Sequence, residues 1–260
     1  MAMKRTKKLT MYSIMLLTVA LMTISCKSEI KVFSDSPMVT QVRQIKGFER
    51  VEIVGSPTVY YQQGDTYSVK VKGPEDLVDK IVTEKEDETL IIRNKGKFGI
   101  VNINMMGNDQ LEVHVTSPDL IGVQLNGSGD FISHQRIDTD NMEITLRGSG
   151  DIEISDLICD HCVMEVVGSG DLDIDRLETR TSEVSLVGSG DVELKQVNVR
   201  STDITLRGSG DISVDFMEGC QEVQATLTGS GDVTLKGHVR KYAQQKSGSG
   251  DIDTNHLTVE

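Results

Sequence analysis

The chain has 260 residues, with 40 Asp and Glu against 27 Lys and Arg and a formal charge of −13. That balance opposes binding to nucleic acid or to anionic headgroups, both of which need clustered cations. Aromatic residues make up 4% and Trp is absent, which leaves little from which to build a stacking platform for sugars or bases.

Lys4, Arg5, Lys7 and Lys8 form a basic start, and Leu9 to Met22 is a mostly apolar run without charge. Residues 1–25 therefore read as a secretory signal, too short and wrongly flanked for a spanning helix. The ending Thr23-Ile24-Ser25-Cys26 resembles a bacterial lipobox, with Thr23 where Leu is usual. It implies that Cys26 carries lipid, becomes the mature N-terminus and holds the protein on a membrane without crossing it. The bland alternative is ordinary cleavage that leaves Cys26 a free thiol. The expected address is export and anchorage to the outer membrane. Lys27-Ser28-Glu29 has one acid and matches a surface-export signal poorly, so periplasmic and outer-face positions both stay open.

Residues 26–45 lack a clear period, contain Ser34-Asp35-Ser36-Pro37 and read as a tether. Residues 46–125 form an irregular β region. Val51, Ile53, Val59 and Tyr61 alternate with polar residues around a Gly55-Ser56-Pro57 break, and Tyr67, Val69 and Val71 alternate after Gln63-Gly64-Asp65. Pro74 to Val82 is the one helical candidate, with early acids and apolar residues at i and i+4. Further strands are predicted at 89–93, near 100–103, at 111–115 and at 120–125.

Residues 126–260 carry seven copies of Gly-Ser-Gly-Asp, starting at Gly127, Gly148, Gly168, Gly188, Gly208, Gly229 and Gly248, in steps of 19 to 21 residues. After each comes an apolar pair such as Ile152/Ile154, Leu172/Ile174 or Val192/Leu194. A further apolar position follows at Leu157, Leu177, Val197 or Met217. Alternation resumes before the next corner with pairs such as Met164/Val166 and Val184/Leu186. Period-2 alternation sets each pair on one face, and the 20-residue recurrence sets each column above itself. The expected fold is all-β: a parallel β-solenoid of about 20 residues per coil, right-handed by the usual chirality of parallel crossovers. A β-propeller needs blades of about twice this length. The glycines, which include Gly129, Gly150, Gly170, Gly190, Gly210, Gly231 and Gly250 as second members, are expected to allow φ > 0 at tight shared corners.

Asp130, Asp151, Asp171, Asp191, Asp211, Asp232 and Asp251 should then stack. Unit charges about 4.8 Å apart repel by about 0.9 kcal/mol in water and about 3.5 kcal/mol at an effective dielectric of 20. The column must be wet, capped by amides or neutralised by cations. Calcium-binding β-rolls use a differently spaced Gly/Asp nonapeptide, so an amide-capped, solvated ladder is the expectation and no metal site is assigned. Cys159-Asp160-His161-Cys162 has no second ligand pair for zinc and no βαβ context for redox chemistry. Cys162 falls in the column of Met142, Ser182 and Thr202 and reads as packing; a disulfide among Cys159, Cys162 and Cys220 stays open. Gly-Ser-Gly is not a nucleophile elbow. His114, His134, His161, His238 and His256 fall in different columns, and no phosphate or dinucleotide fingerprint occurs. No catalytic residue and no cofactor are expected. Polysaccharide-cleaving β-helices build clefts from loop insertions, whereas these coils vary by only a residue.

Phe48-Glu49-Arg50-Val51-Glu52-Ile53 followed by Val59-Tyr60-Tyr61-Gln62-Gln63-Gly64-Asp65 resembles the opening of the DUF2807 family, the putative auto-transporter adhesin head GIN domain of many Bacteroidetes lipoproteins. Leu90-Ile91-Ile92, Ser117-Pro118-Asp119-Leu120 and the repeated corners extend the match over about residues 46–260. The resemblance implies a β-solenoid-like domain at the cell envelope; the first reading is a non-enzymatic, lipid-anchored protein whose solenoid presents a surface for adhesion to a protein or glycan. A periplasmic sensor or assembly factor is the second reading, and a carbohydrate-active enzyme the third.

Overall fold

The computed structural model describes residues 36–96 and 111–260. The signal, Cys26 and the strand expected near 100–103 lie outside the described residues. Strands dominate: β1 (Met38–Arg43), β2 (Arg50–Gly55), β3 (Thr58–Gln63), β4 (Ser68–Pro74), β5 (Ile81–Glu86), β6 (Thr89–Asn94), β7 (Glu112–Ser117) and β8 (Gly122–Gly127). They continue with β9 (Asp130–Asp138), β10 (Asn141–Gly148), β11 (Asp151–Gly168), β12 (Leu172–Gly188), β13 (Asp191–Val197), β14 (Val199–Gly208), β15 (Asp211–Gly229), β16 (Val233–Gly248) and β17 (Ile252–Val259). The helical candidate shrinks to α1 (Glu75–Val78), because Ile81 already belongs to β5.

The repeats stack as parallel rungs. β8, β10, β11, β12, β14, β15 and β16 pair in sequence, so Leu125, Leu146, Val166, Leu186 and Leu206 lie one above another. Within β11 the buried residues are Ile152, Ile154, Leu157, Cys159, Cys162, Met164 and Val166. Alternation keeps side chains inside at every second position. The steps of three from Ile154 to Leu157 and from Cys159 to Cys162 keep both residues inside only if the backbone bends there. With the Gly-Ser-Gly corner, each rung therefore bends three times around an aliphatic interior. The first of these bends also appears as a register shift between β11 and β9.

One column differs from the sequence expectation. Leu177 pairs with Gln196, and Gln196 with Phe216, so Val197 and Met217 are not its members. The fourth rung is a residue shorter here, and Met217 stands 60% exposed. Gln196 is fully buried yet satisfied: its Nε2 donates to Ser182 Oγ at 2.9 Å, and its Oε1 accepts from Thr202 Oγ1 at 2.7 Å. Ser182 Oγ donates to Thr202 Oγ1 at 3.0 Å, which closes a triangle. A buried polar group is tolerable only on such terms.

The N-terminal region belongs to the same stack but in a different order. The rung made by β2 and β3 has β8 and β9 on one side and β6 and β7 on the other. Beyond these, β5 pairs antiparallel with β6, β4 antiparallel with β7, and β1 antiparallel with β4. The chain lays an inner rung, builds the end of the stack and returns to continue on the far side. Met38–Arg43, within the segment read as tether, is the outermost of these strands, so ordered structure begins well before residue 46. Gly55 pairs with Gly127, which makes the Gly55-Ser56-Pro57 break an eighth corner. At the other end the inward columns turn polar: Val223, Ala225 and Leu227 are followed by Tyr242, Gln244 and Lys246. Terminal repeats of a solenoid need such a change, because no further rung covers their apolar side.

Candidate interaction surface

The corner residues come together as two columns. Gly127, Gly148, Gly168, Gly188, Gly208, Gly229 and Gly248 pair in register and all take positive φ, between 124° and 150°. The second glycines, Gly129, Gly150, Gly170, Gly190, Gly210, Gly231 and Gly250, do not have positive φ. Their reason is contact. A Cβ on Gly190 would lie 2.0 Å from the Gly170 carbonyl oxygen, a distance no side chain can share. The sequence expectation that both glycines serve a left-handed turn thus holds for the first member only. Pro57 stands where the second glycine would be in the corner that comes first in the chain, and its own carbonyl lies 2.2 Å from where a Gly129 Cβ would be.

The Asp column forms the amide-capped ladder. The backbone N–H of Asp191 donates to Asp171 Oδ1 at 2.8 Å, and Asp171, Asp211, Asp232 and Asp251 repeat the bond to the rung before. Each carboxylate thereby receives a donor that offsets repulsion from its neighbours. At its start, Thr58 Oγ1 donates to Asp130 at 3.0 Å. Among the described residues no three His, Cys, Asp or Glu side chains converge as a metal ion requires.

Cys159, Cys162 and Cys220 are buried free thiols. Cys162 sits between Met142 and Ser182 in the interior column, as the repeat register predicted. Its hydrogen bond with Cys159, together with burial, holds its thiol well above the ordinary range. Burial likewise raises Cys220. Both are inert packing groups by these measures. The histidines do not converge: His114 pairs across to Tyr60, His161 to Thr181, His238 to Thr258 and His256 to Lys236.

With the interior filled, contact with anything else falls to the outer faces. On the side formed by β10, β14 and the C-terminal halves of β11 and β12, Val163 is 44% and Val187 38% exposed, and Val167 lies beside Val187. Arg147, paired with Glu165 at 2.8 Å, Glu183 and Arg207 rim them. Val167 and Val187 form an adjacent apolar pair, whereas Glu165 stands between Val163 and Val167 on the same outward face and Glu143 and Glu183 flank Val163, so apolar and charged positions alternate across this sheet.

The side that follows each corner is graded along the stack. Val42, Lys70, His114, Tyr60, Ile132, Glu153, Asp173 and Glu193 occupy one outward column in that spatial order. The rings of Tyr60 and His114 stack at 5.3 Å. Burial, then Glu112 and the acids beyond, raise the Tyr60 hydroxyl. Burial pulls Glu112 upward, but hydrogen bonds with His114 at 3.0 Å and Lys72 at 3.2 Å outweigh it and lower its carboxyl. Further along, burial and then Asp175 and Glu193 raise Asp173. Sequence reasoning missed both outer groupings. Val163 and Val187 could have been found as apolar residues at polar-phase positions, but the Tyr60 column joins five strands out of chain order.

The profile of the DUF2807 family, described as "Putative auto-transporter adhesin, head GIN domain", matches residues 47–219 and 182–260. The chain belongs to this family. Among solved structures it is similar to a "putative adhesin" from Bacteroides fragilis, with TM-score 0.67 and 22% identity over 83% of this chain and 96% of that one. It is also similar to a "Putative lipid binding protein" from Parabacteroides distasonis, with TM-score 0.64 and 23% identity over 88% and 99%. A "putative adhesin" from Parabacteroides merdae gives TM-score 0.60 and 17% identity over 88% and 99%. At these identities the likeness establishes that this DUF2807 member shares their fold. No curated protein matches.

Proposed function

We propose that this DUF2807 protein is a non-enzymatic, lipid-anchored envelope protein, held at the outer membrane through Cys26, whose solenoid presents a flat face for adhesion. The observation that carries the reading is the adjacent Val167 and Val187 pair, with Val187 exposed, together with the exposed Val163 further along β11 on an otherwise charged, close-packed surface. Among the described residues the interior is filled by side chains, and the repeats from Gly127 onward differ in length by only a residue or so. The partner is a protein with a matching apolar patch, or a glycan bound across the sheet.

Val163→Glu with Val187→Glu should abolish binding of the purified chain to host or neighbouring-cell surfaces while leaving its circular dichroism unchanged. Undiminished binding would refute the patch. Protease treatment of intact cells decides the membrane face. Cleavage supports adhesion, whereas protection supports the periplasmic assembly or sensor reading; Lys27-Ser28-Glu29, with its single acid, leaves both open.

A further inference from the structure

We infer that the protein is mounted on its membrane by the β1 end, with the edge of β1 and the side chains that flank it at the lipid headgroups and the acidic rungs further along the stack held away. This rests on the reading of Cys26 as a lipid anchor.

Charge is divided unevenly along the stack. Residues 36–96 hold nine Lys and Arg against ten Asp and Glu, whereas residues 111–260 hold eleven against 27. The first part is close to neutral and the second strongly anionic. A bilayer containing anionic lipid repels the second part and tolerates the first, and each surface lysine near it is drawn inward. On the neutral part, β1 exposes Met38 and Val42, the latter 56% open to solvent. Val42 pairs with Lys70, whose ammonium group stands beside it on the outward face; Lys72 pairs with Thr40, between Val42 and Met38, and its ammonium is held by Glu112 at 3.2 Å. Apolar residues bordered by lysines are what a headgroup boundary accepts, since the stems and the apolar groups can enter while the charges meet phosphate.

The connection is also short. Twelve positions separate Cys26 from Met38, and at about 3.5 Å per residue they reach no further than roughly 40 Å. Of the two ends of the stack, β1 is the one that this connection joins to the anchor. Lateral freedom is therefore limited, and repulsion of the acidic rungs sets which way the stack points.

The absence of Trp gives a clean probe. Val42→Trp places a single indole on β1. Met217→Trp, at a 60% exposed position on β15, places one eight strand spacings away, roughly 38 Å at the usual rung separation. Each lipid-bearing chain is reconstituted into vesicles of brominated phosphatidylcholine and phosphatidylglycerol, and indole quenching is read. Quenching should be several-fold stronger at Val42→Trp than at Met217→Trp, and Lys70→Glu with Lys72→Glu should reduce it several-fold while the chain stays vesicle-bound. Equal quenching at the two positions, none at Val42→Trp, or no response to the lysine changes would overturn the seat and leave the anchor standing. Intact mass of the membrane-extracted chain reads the anchor separately: a chain without lipid on Cys26 overturns both.

Discussion

The end of the stack built by β1 to β7 and the repeats from β8 onward share one interior, but they achieve it by opposite means. In the repeats every rung pairs with its neighbours in the chain, and each corner repeats the same close contact. In the first part β2 and β3 pair with strands that lie both later in sequence and on both sides in space, and antiparallel strands close the end. Only the first kind of order leaves a period in the sequence. The comparison also separates two roles of glycine. The first members need both the left-handed backbone and the space beneath it, and the second members need the space alone.

The sharpest way to break the comparison is at a second-glycine position. Gly190→Ala should cost about 3 kcal/mol or more, because the clash is with backbone on which further rungs rest. Gly64→Ala, whose Cβ would meet only the Thr116 methyl at 3.1 Å, should cost less than about 1 kcal/mol. Urea midpoints followed by circular dichroism compare the two, and equal shifts would mean that the corner contact is not what holds the rungs.

Buried polar groups come next. Gln196→Ala should cost about 2–3 kcal/mol through the cavity and the lost triangle. Gln196→Leu with Ser182→Val and Thr202→Val should recover most of that, since no buried polar group is then left alone. In the first part, Tyr61 is the counterpart: its hydroxyl lies 3.0 Å from Ser117 Oγ, and burial pushes its pKa up to about 12. Tyr61→Phe should cost only about 1 kcal/mol, because Ser117 Oγ keeps its bond to the Asp119 carbonyl. Thermal unfolding of the three variants ranks them.

Two carboxyls give effects of opposite sign. Burial tends to raise Asp156, but hydrogen bonds from Arg136 at 2.7 Å and Arg176 at 2.9 Å prevail and lower it. Its contribution is therefore present above the ordinary carboxylate range and lost as pH falls through the depressed folded value. Asp156→Asn should destabilise by about 1 kcal/mol at neutral pH and by little in strong acid. Asp173 is raised, so it favours folding most below its unfolded value and progressively less as pH climbs through the folded one. Asp173→Asn should stabilise slightly at pH 7, by less than about 0.5 kcal/mol after solvent screening, and not at all in strong acid. Stability measured against pH for both variants tests the signs. The smallest effect is none: a chelator should leave the melting temperature unchanged, since amides already serve the Asp ladder. A fall on adding chelator would show that cations hold the column.

Much of the repeat architecture was legible because its cause is local. A glycine that must stack under a carbonyl recurs every rung, and Ile152, Leu172 and Val192 alternate for the same reason. The assignment of Val197 and Met217 to the inner column failed because the one-residue shortening of the fourth rung transfers that place to Gln196 and Phe216. Counting from a corner cannot detect a bulge. The strand in the presumed tether escaped for another reason: Met38 to Arg43 lies on the edge, half covered, with little need to alternate strongly.

From the amino-acid sequence alone follow the rung length, the glycine columns, the aliphatic interior and the family resemblance, since each is fixed by contacts between equivalent positions a constant distance apart. Which strands surround β2 and β3, and hence that Val42, Lys70, His114, Tyr60 and Ile132 form one outward column, was decided by the tertiary structure. Those neighbours are chosen by pairings between distant segments whose closure depends on the whole stack, and no local spacing encodes them.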